Sequence, residues 1–170
     1  LLEEGNMNSQ IATALVVFLS FTTSVALAND AVTKFKCYGT PVILYNSNIV
    51  ESPFFVLTIE NPGHPNFHTF PVTEEFLDVR CEKDKNGKDF LLVNHFCGGS
   101  RCAESNYALI DLSTGKEVLK ASETMLGNAN RAESILGKPL IPFSCKERSK
   151  SSSKSNDRGE FCLVSPIELY

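Results

Sequence analysis

Phe76-Leu77-Asp78-Val79-Arg80-Cys81, then Asp84-Lys85-Asn86-Gly87-Lys88, then Phe90-Leu91-Leu92-Val93, is the stretch that decides the fold class. Its first segment alternates. Leu77, Val79 and Cys81 point one way, and Asp78 and Arg80 the other, which is the period of a strand. Asn86-Gly87 accepts the positive φ of a tight hairpin turn. The returning segment is apolar at every position, so it is expected to lie centrally in a sheet with both faces covered.

Similar signals recur on either side. Val42-Ile43-Leu44-Tyr45 reads as a strand ended by Asn46-Ser47-Asn48. Phe54-Phe55-Val56-Leu57-Thr58-Ile59 is a second, rich in β-branched and aromatic residues. Asn61-Pro62-Gly63-His64-Pro65 holds several breakers and reads as a turn. A further hairpin joins Tyr107-Ala108-Leu109-Ile110-Asp111-Leu112 to Glu117-Val118-Leu119 through Ser113-Thr114-Gly115-Lys116. One short helix is expected, capped by Asn130 with Glu133 at N3 and stopped by Gly137 and Pro139. Residues 140–143 and 161–164 are expected to pair as the last two strands. The sum is a mostly β domain: a small antiparallel β-barrel or sandwich with one short helix.

The N-terminal stretch sets the compartment. Ile11 to Ala28 is an apolar run ending in Ala26-Leu27-Ala28, which places small residues at −3 and −1 of a signal-peptidase site before Asn29. The run is short and broken by Thr and Ser, unlike a stable membrane span. Glu3 and Glu4 have the wrong sign for a leader, so translation is expected to start at Met7, with a bacterial ribosome-binding site encoded around Glu4-Gly5. An uncleaved N-terminal anchor is the alternative. Residues 1–28 are therefore read as upstream sequence plus leader, and 29–170 as one exported domain, periplasmic or extracellular. The chain carries a net charge of −4, of which the expected leader holds two acids and no bases, and the near-balanced remainder argues against nucleic acid as a partner, since phosphate binding needs a basic face. Phe, with 12 copies and no Trp beside it, is expected to dominate the aromatic core.

All six cysteines, Cys37, Cys81, Cys97, Cys102, Cys145 and Cys162, follow the leader. An even count in an exported chain reads as a disulfide framework with 15 possible connectivities. Cys97-Gly98-Gly99-Ser100-Arg101-Cys102 can close on itself because two glycines permit a tight backbone. Cys145 and Cys162 bracket a charged, Ser-rich loop whose closure is worth about 3 kcal/mol. Cys37–Cys81 remains by elimination, with Cys81–Cys97 as the rival. Zinc sites on cysteine favour paired Cys-x2-Cys knuckles, and this chain has none, so no metal or other cofactor is expected.

Catalytic candidates are few. His64 and His68 are four apart beside Glu74 and Glu75, with His95 elsewhere. Four-residue spacing makes a metal pair on a helix, but Pro62, Gly63 and Pro65 exclude one here, so both rings are expected on an exposed loop. No nucleophile elbow or phosphate loop occurs. Ser100 and Arg101 sit at the tip of the small cysteine loop, where a pre-ordered Arg101 can reach a partner's carboxylate with little loss of entropy. The loop 146–160 carries five cations against three acids and is a candidate for weak contact with an anionic envelope.

Phe35-Lys36-Cys37-Tyr38-Gly39, with Val42 and Tyr45-Asn46, resembles the opening strand of the bacterial periplasmic inhibitors of C-type lysozyme. Those are small disulfide-tied β-barrels. The resemblance covers about a dozen residues. The family's Ser-Gly-x-x-Tyr inhibitory loop does not occur here, and Ser100-Arg101 is the nearest stand-in. The small β domain, the stapled loop and the missing catalytic motif give the expected function: a non-enzymatic binding protein with a protein partner, an inhibitor or immunity factor against a cell-wall or secreted hydrolase. A small hydrolase using the histidines, or a structural envelope protein, is the alternative.

Overall fold

A computed structural model describes residues 31–47, 54–61, 64–71, 76–96, 105–121, 127–146, 148 and 154–164. The leader, the cysteine loop with Cys97, Ser100, Arg101 and Cys102, and residues 147 and 149–153 lie outside that set. Four strands form one antiparallel sheet in the order β1 (Ala31–Cys37), β2 (Thr40–Ser47), β3 (Phe54–Asn61), β4 (His64–Pro71). Five more strands form the second. They are β5 (Phe76–Lys83), β6 (Asp89–Phe96), β7 (Tyr107–Asp111), β8 (Lys116–Leu119) and β9 (Phe161–Val164), in the spatial order β8-β7-β6-β5-β9. The sheets stack as a sandwich and do not close into a barrel, so of the two expected architectures the sandwich is the one formed.

Period-2 patterning builds the interior. Val42 and Leu44 of β2, Phe55, Leu57 and Ile59 of β3, and Phe70 of β4 meet Leu77, Val79, Leu91, Val93, Ala108 and Ile110 of the second sheet. Phe35 of β1 stacks on Phe161 of β9 with ring centroids 4.1 Å apart. Cys37 at the end of β1 is bonded to Cys81 on β5, which ties the two sheets together and excludes the rival Cys81–Cys97 pairing. The second bond is Cys145–Cys162, as expected.

Central placement of β6 follows its sequence. Leu91 and Val93 face the first sheet, while Phe90 and Leu92 join Tyr107, Leu109 and Leu119 on the opposite face. That face is covered by α1 (Ala129–Leu136) through Ala132 and Leu136. Each fully buried leucine contributes about 2 kcal/mol, and a two-turn helix needs that packing because it cannot persist alone.

Helix ends differ from expectation. The N-cap is Asn128, not Asn130, and its side chain does not cap. Instead Asn128 accepts from the Tyr107 amide at 2.7 Å and donates to the carbonyls of Tyr107 and Lys120. Its amide thus stands in for a neighbouring strand at the start of β7. Glu133 accepts from the Leu140 amide at 2.9 Å and closes no capping box. Gly137 does end the helix, at φ 65°, where a Cβ would meet the Lys85 side chain.

Two further expectations are corrected. Residues 140–143 form no strand, and β9 pairs with β5 instead. Pro142 lacks an amide hydrogen, and the Leu140 amide is engaged by Glu133. His64 and His68 lie on β4, not on a loop. Its prolines are tolerated because β4 is an edge strand.

Asp111 fixes the β7–β8 turn. Its carboxylate accepts from the Ser113 amide and hydroxyl, the Thr114 hydroxyl and Lys88 Nζ, at 2.7 to 2.9 Å. Burial alone would raise its pKa, but these donors outweigh it and hold the group at about 2. A depressed carboxyl stabilises above its unfolded pKa, and that contribution is lost as pH falls through the folded value. Asp111→Asn is therefore expected to cost about 1–2 kcal/mol at neutral pH, with the gap to the parent closing between about pH 4 and pH 2. Denaturant melts across that window check it.

Candidate functional site

The outer face of β5 carries Asp78 and Arg80, which alternate with Leu77 and Val79, and Glu82 beyond them. None is exposed. Asp78 and Glu160 are each 1% accessible. The cover is residues 140–146 and Arg148 together with residues 154–160.

Arg80 organises what lies beneath. Its Nε donates to Glu82 Oε1 at 2.8 Å and its Nη1 to Glu160 Oε1 at 3.1 Å, while the guanidinium sits 4.5 Å from the Phe143 ring centroid. Lys138 donates to the other Glu82 oxygen at 2.8 Å. Glu160 Oε2 accepts from the Ser144 amide, the Ser144 hydroxyl and Asn156 Nδ2, all within 2.9 Å. Burial pushes the Glu160 carboxyl up, but the donors from Asn156, Ser144 and Arg80 prevail and hold it below the usual range.

A second ion pair fastens the same cover. Arg148 holds both oxygens of Asp78, and its guanidinium lies 4.6 Å from Phe76 and 5.1 Å from Phe96. Burial raises the Asp78 carboxyl against the pull of Arg148. Stripping that carboxylate of water is thus only partly offset by the pair.

Residues 156–160 close on themselves. The Asn156 amide donates to the Glu160 carbonyl at 3.0 Å, and Asn156 Oδ1 accepts from the amides of Arg158 and Glu160. Cys145–Cys162 then pins both stems of the loop beside β5. Ser144, Cys145 and Lys146 on one stem, and Asn156, Asp157 and Arg158 on the other, wall an open cleft of about 520 Å³. That volume falls within the range of small-ligand sites and admits a side chain from a partner. Two cations against one acid give the rim a positive balance.

Other candidates are placed as follows. His68 is half-buried, and its Nε2 lies 3.0 Å from the Gly115 carbonyl, so that nitrogen carries the proton and donates. His95 is buried, with Phe70 edge-on at 5.5 Å. The His64 side chain, like Ser100 and Arg101, is outside the described set. On a strand, residues four apart stand about 13 Å apart, too far to share a metal. Among the described residues, Asp78, Cys145 and Cys162 bring donor atoms within 4.8 Å of one another. Both sulfurs are spent in the disulfide and Asp78 is held by Arg148, so this group does not form a metal centre.

Sequence reasoning missed Arg80, Ser144 and Asn156. Asn156-Asp157-Arg158-Gly159 was the available signal, since Asn with a following Gly marks a self-closed turn. Among the described residues no helix is long and apolar enough to cross a membrane. No protein-family model, curated protein or solved structure matches the chain.

Proposed function

We propose that this chain is an exported binding protein that docks on another protein, a cell-wall or secreted hydrolase, and blocks it. The observation that supports this reading most is the clamped cleft between residues 144–146 and 156–158. Its walls are held by a disulfide, two ion pairs and a self-closed turn, so a partner meets a surface already ordered. Pre-ordering is what lets a small edge bind tightly. Lys146 and Arg158 would engage acidic groups of the partner, with Arg101 as a second anchor.

Titration of the oxidised chain against purified peptidoglycan-cleaving and proteolytic hydrolases tests it. Stoichiometric inhibition of one of them is expected, with Lys146→Ala plus Arg158→Ala raising the inhibition constant about tenfold. Absence of inhibition across the panel, or turnover by the chain itself that is lost on replacing His64, His68 and His95, counts against the reading. Export is tested separately, since the secreted product is expected to begin at Asn29, and recovery of Leu1 would contradict that.

A further inference from the structure

The outward face of the four-stranded sheet has a pattern that the core does not use. With Phe35, Cys37, Val42, Leu44, Phe55, Leu57, Ile59 and Phe70 turned inward, their neighbours point away from the molecule. Strand pairing arranges them in rows. One row runs Val32, Tyr45, Val56, Thr69 and the next Lys34, Ile43, Thr58, Phe67. A third begins Lys36, Pro41 and ends Glu60, Pro65. Tyr45 is 37% and Phe67 66% exposed, and Ile43 and Val56 are half-buried between them. The cations of this face lie on β1 and its acid on β3.

We propose that this face is the interface of a homodimer in which two copies pack sheet on sheet about a twofold axis parallel to the strands. Symmetry and charge choose that axis. A face-to-face pair can also use an axis across the strands through the central row, which would lay β1 on the same strand of the partner and set Lys34 against its own copy. An axis along the strands, between β2 and β3, instead lays β1 over the other copy's fourth strand and β2 over its third, with no shift along the strands. Lys34 then stands over the partner's Phe67, and Lys36 over the partner's Pro65, beside the partner's Glu60. Tyr45 meets the partner's Val56, and Ile43 the partner's Thr58. The centre is apolar apart from Thr58, and the rim carries cation–π and ion-pair contacts.

Thr58 fits this arrangement. It is 6% exposed, at the middle of the face, and its hydroxyl has no hydrogen-bond partner. Its desolvation cost is met within one copy, so a second layer adds little to it. The face measures roughly 20 Å by 20 Å, which places the pair among small, weak interfaces. The dimer is therefore expected only in concentrated solution. It is independent of the cleft at residues 144–158, and either can fail without the other.

Sedimentation equilibrium of the oxidised full chain, from about 1 μM to about 500 μM, reads it. A reversible monomer–dimer equilibrium is expected. Phe67→Lys should raise its dissociation constant at least about tenfold, and because Phe67 is largely exposed the fold should survive the change. Lys36→Glu should weaken the dimer several-fold through two symmetry-related pairs, and Lys36→Glu with Glu60→Lys should restore it. A monomer at every concentration, a dimer indifferent to Phe67→Lys, or a charge swap that restores nothing overturns the proposal. So does binding of lipid vesicles or of an acidic peptide to the monomer through Phe67.

Discussion

Arg80→Met is expected to lower the free energy of unfolding by about 3–5 kcal/mol, the usual loss when one partner of a buried charge cluster is removed. Methionine can still fill the space against Phe143 but cannot answer Glu160, which is 1% accessible, or Glu82. Glu160 would keep only the donors from Ser144 and Asn156. Guanidinium unfolding of the oxidised protein at neutral pH measures the effect. A loss below about 1 kcal/mol would show that those three donors suffice. Glu160→Gln added to Arg80→Met should recover part of the stability by removing the stranded charge. The pH dependence has a definite sign. Glu160 titrates below its ordinary 4.5 in the folded protein, so its contribution is present above that value and vanishes as pH falls through the lower folded one. The parent and Arg80→Met should therefore converge in acid.

Loss of Cys37–Cys81 should rank beside it. The bond closes 44 residues, for which chain entropy gives about 4 kcal/mol, against about 3 kcal/mol for the 17 residues spanned by Cys145–Cys162. The expected result for Cys37→Ala with Cys81→Ala is a drop of that size in denaturant unfolding without reductant. An unchanged midpoint would mean that packing between the sheets already restricts the unfolded chain as much as the bond does. Cys37 lies fully inside the core, so alanine rather than serine is the cleaner replacement.

What could be read from the sequence was local. The Asn86-Gly87 hairpin, the apolar β6 and the Gly137 stop each depend on residues within one turn or strand, and each formed where the pattern placed it. What escaped was decided at a distance. Asp78 and Arg80 alternate with Leu77 and Val79 as exposed residues would, yet segments 60 to 80 residues later cover them. Nothing in the local pattern announces that cover. Edge strand β4 was hidden by Pro65 and Pro71, residues that speak against a central strand but not against an outermost one. Asn128, not Asn130, starts the helix, and its side chain bonds to Tyr107 and Lys120, so its role was legible only in three dimensions. The cleft depends on Cys145–Cys162, which the sequence supported, and on Asn156 and Ser144 meeting Glu160, which it did not.

Each of the two described disulfides joins a cysteine to the next cysteine along the chain. A polypeptide that is oxidised as it emerges, N-terminus first, meets its correct partner before any later thiol can compete. Linking neighbours in order of appearance yields both native bonds directly, without an enzyme to reshuffle them.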